Sequence, residues 1–163
     1  MKAENEEFNI FVPGRVSIIG ELSDWVCEYK AINDSIVCGE AVAAGIDKGI
    51  YATVKKSDDF IFTMNDGSFK SKMDNKELKK VAISNDFYSY IAAVALYMNK
   101  NYDVGGLDIR VRAMTLPIKK GLSSSAAVSV LVTKAFNLVY GLNLEFYEIM
   151  KIAYESEHIA LSM

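Results

Sequence analysis

The strongest constraint on this chain is a short run that leads straight into a helical repeat: Leu116-Pro117-Ile118-Lys119-Lys120-Gly121-Leu122-Ser123-Ser124-Ser125-Ala126-Ala127. The first turn of a helix leaves backbone N–H groups without partners and carries the positive end of the helix dipole. Small side chains there let an anion, above all phosphate, approach the backbone. A serine hydroxyl can also ligate Mg²⁺, and Lys119 and Lys120 add positive potential. Serine is equally a favoured N-cap with no ligand at all, so capping and phosphate binding both remain open on this segment alone. Three known loop types are excluded. No GK[ST] follows the glycine, no GxGxxG is present, and Gly121-Leu122-Ser123-Ser124-Ser125 lacks the second glycine of a nucleophile elbow.

Periodicity divides the chain in two. Phe8 to Val12 and Val16 to Ile19 flank Pro13-Gly14 and read as strands, as do Ile36 to Val42 leading into Gly49 to Val54, and Phe60 to Met64 before the turn Asn65-Asp66-Gly67. From Asp86 the spacing becomes helical through Phe87, Tyr90, Ile91, Val94 and Met98. A break over 99–106 follows. Leu107, Ile109 and Val111 then alternate with charged neighbours as a half-buried strand. Val128, Leu131, Val132, Ala135 and Val139 predict a second helix, stopped by Gly141. Asn143 is placed to cap a third, carrying Phe146, Ile149, Met150 and Ala153. The class is α+β, with a mainly antiparallel sheet.

With 163 residues, 51% of them hydrophobic and 24% charged, the chain is long enough to bury a core as one domain. A net charge of −3 speaks against nucleic-acid binding. Cys27 and Cys38 are isolated in sequence and read as reduced, packed thiols. The acidic N-terminus lacks a signal-peptide pattern. The apolar run Ile91 to Met98 is far shorter than the roughly 20 residues that span a bilayer. Together these features predict a cytoplasmic protein. The last helical repeat is still running at Met163, so the sequence is expected to be truncated at its C-terminal end.

The N-terminal segment Pro13-Gly14-Arg15-Val16-Ser17-Ile18-Ile19-Gly20-Glu21-Leu22-Ser23-Asp24-Trp25 sets an arginine between short apolar runs, with two carboxylates and the only tryptophan beyond a glycine. Alone it reads first as a solvated turn with incidental charges. Paired with the glycine-serine loop, it resembles the opening motif of the GHMP kinases, Pro-Gly-Arg, a short strand, then Gly-Glu-His and an Asp. The loop resembles that family's Pro-x-Gly-x-Gly-Leu-Ser-Ser-Ser-Ala. The likeness spans nearly the whole chain. Leu22 stands where the family has His, and Lys119 where it has Gly.

The resemblance implies an N-terminal domain with the ribosomal S5 domain 2-like fold, a sheet packed against helices, from which a C-terminal ferredoxin-like domain is absent. It implies ATP-dependent, Mg²⁺-assisted phosphorylation of a small-molecule hydroxyl. Arg15 would stabilise developing charge as the catalytic residue. Glu21, Asp24 and Trp25 would bind substrate, and Lys119, Gly121, Leu122, Ser123, Ser124, Ser125 and Ala126 the nucleotide. Ser125 and Glu157 would hold the metal. Glu157 also falls on the stripe of Phe146, Met150 and Ala153, where a carboxylate facing inward needs a partner or a metal. His158 reads as structural. Two carboxylates suit a sugar better than anionic mevalonate, so a galactokinase-like sugar kinase acting at the anomeric position leads. A mevalonate-type kinase and a truncated, non-catalytic nucleotide- or partner-binding homologue are the alternatives. The family's catalytic Asp would lie past Met163, so this chain is expected to turn over poorly alone. An uncovered apolar face predicts self-association, as a homodimer or larger.

Overall fold

The structure is a computed structural model that describes residues 6–20, 26–116 and 124–161. A five-stranded sheet is built from β1 (Phe8–Ile19), β2 (Val42–Ser57), β3 (Asp59–Met64), β4 (Gly67–Lys72) and β5 (Gly106–Met114), in the spatial order β1-β2-β5-β3-β4. All pairings are antiparallel except that of β3 with β5. Among the described residues four α-helices pack with the sheet: α1 (Asn75–Ala82), α2 (Phe87–Asn101), α3 (Ser124–Tyr140) and α4 (Phe146–Leu161). The α+β class and the mainly antiparallel sheet are as the periodicities require.

Alternation places Ile10 and Val12 of β1, Ile50, Ala52 and Val54 of β2, and Phe60 and Phe62 of β3 in one buried layer. The layer meets Ile91, Val94 and Met98 of α2 and Val128, Leu131, Val132, Ala135 and Phe136 of α3. Phe136 stacks on Phe60 with ring centroids 5.9 Å apart. One turn later the Tyr140 hydroxyl donates to the Gly106 carbonyl at 2.8 Å, tying α3 to the start of β5. Gly141, at φ 61°, ends α3, and the Leu142 N–H returns to the Asn137 carbonyl in a Schellman closure.

Several sequence expectations are corrected. Pro13-Gly14 does not divide two strands. β1 runs through it with a register shift between Pro13 and Arg15, which an edge strand tolerates because the missing N–H interrupts no inner ladder. Of the run Ile36 to Val42 only Val42 is strand; Val37 is 83% exposed. Helix α1 lies outside the elements that the periodicities predict, although Asp74 caps it by accepting from the Lys76 and Glu77 N–H groups and Leu78 and Ala82 are buried four apart. Asn143 is not the cap of α4. It sits at φ 56°, while the Glu148 carboxylate accepts from the Glu145 N–H as half of a capping box. Cys27 and Cys38 are neither packed nor reduced. They form a disulfide and both are exposed, because the 3₁₀-helix Val26–Ala31 and the turn after it fold the chain back on itself.

Candidate functional site

The two sequence motifs converge through three chain segments. Pro13 of β1 pairs with Gly49 of β2. Gly49 in turn clamps the chain leaving β5: its N–H donates to Thr115 Oγ1 at 2.9 Å, and the Thr115 N–H donates to its carbonyl at 3.0 Å. The next residue, Leu116, is buried and packs against Gly14 so closely that a Cβ there would overlap Leu116 Cδ2. The Pro-Gly-Arg stretch of β1 therefore holds the residue that leads into the glycine-serine loop. Sequence reasoning missed Gly49 and Thr115 in this clamp, since the contact joins positions 66 residues apart and leaves no local signal.

Arg15 follows on the exposed edge of β1, where its Nη1 donates to Ser17 Oγ at 2.9 Å. With Val12 and Pro13 it forms one wall of a groove of about 250 Å³. A second wall is Ala126, Ala127 and Val130 of α3, and a third is Phe146, Ile149 and Met150 of α4. Arg15 thus opens onto the same groove as the N-terminal turns of α3. Ser124, Ser125 and Ala126 form the start of that helix, are half-buried, and have no acidic side chain in their turn. The dipole's positive end is not offset by a carboxylate within it.

The stripe expected on α4 is corrected. Phe146 is 83% and Met150 47% exposed, and both line the groove rather than the core. The core-facing positions are Ile152, Ala153, Ser156 and Ala160, one residue out of phase with the expected set beyond Ala153. Glu157 consequently sits half-buried on the flank of α4, not pointing into the interior. Ser125 and Glu157 lie on successive helices that pack against each other. His158 is exposed and meets the Tyr154 ring edge-on at 4.5 Å. Among the described residues no three His, Cys, Asp or Glu side chains cluster as a metal site. Glu21, Leu22, Asp24, Trp25, Lys119, Lys120, Gly121, Leu122 and Ser123 lie outside the described residues.

Comparison with known proteins bears on family and fold. Residues 89–163 match the family described as GHMP kinases N terminal domain. The galactokinase of Thermotoga maritima is 33% identical over 146 residues, covering 89% of this chain and 37% of that protein. The chain belongs to the GHMP kinase family. A second galactokinase, from Fusobacterium nucleatum, is 28% identical and aligns with 96% of the chain and 39% of its own length. This GHMP kinase domain therefore spans well under half the length of the relatives it matches. Among solved structures, Lactococcus lactis galactokinase complexed with galactose superposes with a TM-score of 0.76 at 19% identity, over 98% of this chain and 39% of that one. Methanococcus jannaschii mevalonate kinase does so with a TM-score of 0.72 at 21% identity, over 98% and 49%. These establish the fold of a GHMP kinase N-terminal domain. No helix among the described residues is long and apolar enough to cross a membrane.

Proposed function

We propose that residues 1–163 form the N-terminal domain of an ATP-dependent sugar kinase that transfers the γ-phosphoryl group to a sugar's anomeric hydroxyl. The observation carrying this reading is the groove that Arg15 shares with the first turns of α3. Phosphoryl transfer is mainly a problem of positioning and charge stabilisation. Amides and small side chains at a helix start suit the phosphates, and an arginine on the strand lining the same groove suits the charge that builds on the transferred group. Lys119, Gly121, Leu122, Ser123, Ser124, Ser125 and Ala126 make up the nucleotide-binding stretch in this reading. Glu21 and Asp24 accept hydrogen bonds from sugar hydroxyls, and Trp25 packs on the sugar's apolar face.

The residues present fit Mg²⁺ that arrives with the nucleotide. Mg²⁺ keeps several waters and is commonly held by one or two protein ligands plus substrate phosphates. A lone serine and a lone carboxylate on neighbouring helices match that need without a preformed cage. Ser125 and Glu157 would hold the ion, which neutralises phosphate charge when bound.

Coupled ADP release by the full-length protein, assayed with galactose, arabinose, glucuronate, a heptose and mevalonate, tests the reading. Sugar-dependent release supports it. Release with mevalonate alone, or with none of the five, overturns it.

A further inference from the structure

The Cys27–Cys38 pair has no part in the function proposed above. Each half-cystine is exposed, and they close a loop 11 residues apart in sequence. The loop's far root is fixed at Gly20, whose φ of +84° brings it so close to the Glu40 carbonyl and Ala41 that no side chain fits there. None of the described residues 26–41 belongs to the buried hydrophobic core. Among the described residues, the buried hydrophobic core skips from Val12 to Ile50, while Ile32 and Val37 are 81% and 83% exposed. Local turns hold the backbone: Ile32 and Asn33 donate to the Tyr29 carbonyl, and Ser35 donates to Asn33 Oδ1. A segment without a core that is ordered across its width by a covalent link depends on that link, as small disulfide-rich folds do.

We infer that Cys27 and Cys38 form a reversible dithiol–disulfide site that orders the 26–41 segment and thereby tunes affinity for the acceptor. Exposed disulfides are the ones that exchange readily. Lys30 follows Cys27 by one 3₁₀ turn, in which residues three apart share a face. The co-reactant is a dithiol. One of its thiolates attacks a half-cystine sulfur, breaking the Cys27–Cys38 bond and forming a mixed disulfide. Its second thiol then displaces that cysteine. Two electrons and two protons end on Cys27 and Cys38, and the dithiol leaves as a disulfide. The consequence for acceptor affinity rests on the kinase reading, because Glu21, Asp24 and Trp25 directly precede the segment in sequence; the exchange itself does not.

The test equilibrates the full-length protein in mixtures of reduced and oxidised dithiothreitol. Differential alkylation with peptide mass spectrometry is expected to show a linked Cys27–Cys38 peptide that converts to two alkylated thiols. Trypsin cleavage after Lys30 should accelerate severalfold on reduction. Sugar KM should rise severalfold, with ATP KM and kcat little changed. Cys27→Ser and Cys38→Ser should match the reduced protein in every mixture. Equal alkylation across the mixtures, an unchanged rate at Lys30, or one sugar KM in both states overturns the inference. Absence of phosphoryl transfer in both states would count against the kinase reading instead, leaving the alkylation and Lys30 measurements to decide the exchange.

Discussion

Replacing Gly14 with alanine probes the contact that joins the two motifs. The added Cβ would overlap Leu116 Cδ2 and lie 3.4 Å from Ile46 Cδ1. Leu116 is only 3% exposed, so its side chain cannot swing into solvent to make room. Overpacking of this kind costs about 1–3 kcal/mol. At this chain length each kcal/mol moves Tm by roughly 2–4 °C. Leu116→Ala alone removes a buried side chain, at about 2–5 kcal/mol. In the double variant the new methyl group occupies part of the vacated space. Its cost should therefore fall short of the sum of the two single variants by about 0.5–3 kcal/mol, the range found for residues in contact. Urea unfolding of the four proteins, with m-values compared to confirm a common transition, measures the cycle. Because Leu116 leads into the glycine-serine loop, Gly14→Ala should also weaken ATP binding by titration calorimetry, and the double variant should recover part of it. Strict additivity in both measurements would refute the claim that Gly14 positions Leu116.

Arg15→Ala should lower kcat by about 10²–10³, as removal of one charge-stabilising donor does, with little change in stability at its exposed site; an unaltered kcat in steady-state kinetics would remove Arg15 from the reaction. Burial raises the Tyr140 pKa above its usual value, so the unfolded chain loses that proton first and stability should fall as pH rises above about 10. Tyr140→Phe should flatten the fall in thermal melts between pH 9 and 11, and an identical slope would exclude Tyr140 as its source. Ile18, Ile19 and Phe146 are 61%, 67% and 83% exposed, and the 163-residue chain should self-associate at high concentration. A clean monomer in sedimentation velocity contradicts this.

The helices α2 and α3 and the strands β3 and β5 were legible because each carries a one-sided apolar repeat that only one local geometry can bury. The glycine-serine run and the Pro-Gly-Arg stretch were legible as motifs, and at Gly14 the close approach of Leu116 gives the glycine its physical reason. Helix α1 could have been read from Asp74 and the Leu78–Ala82 spacing, but its short length gives the period little room to show. The phase of α4 was not available from its own residues. Phe146 and Met150 are apolar whether they face a core or a groove, and their neighbours in α3 and β1 decide which.

By itself, then, the sequence determined the fold class, which follows from local periodicity, and its two motifs carried the resemblance to the family. The tertiary structure decided that Gly14 rests on Leu116, that Gly49 clamps Thr115, that Arg15 lines one groove with the first turns of α3, and that Cys27 meets Cys38. Each depends on how strands register and loops return, and no single segment encodes it because the partners are brought together only by packing of the whole chain.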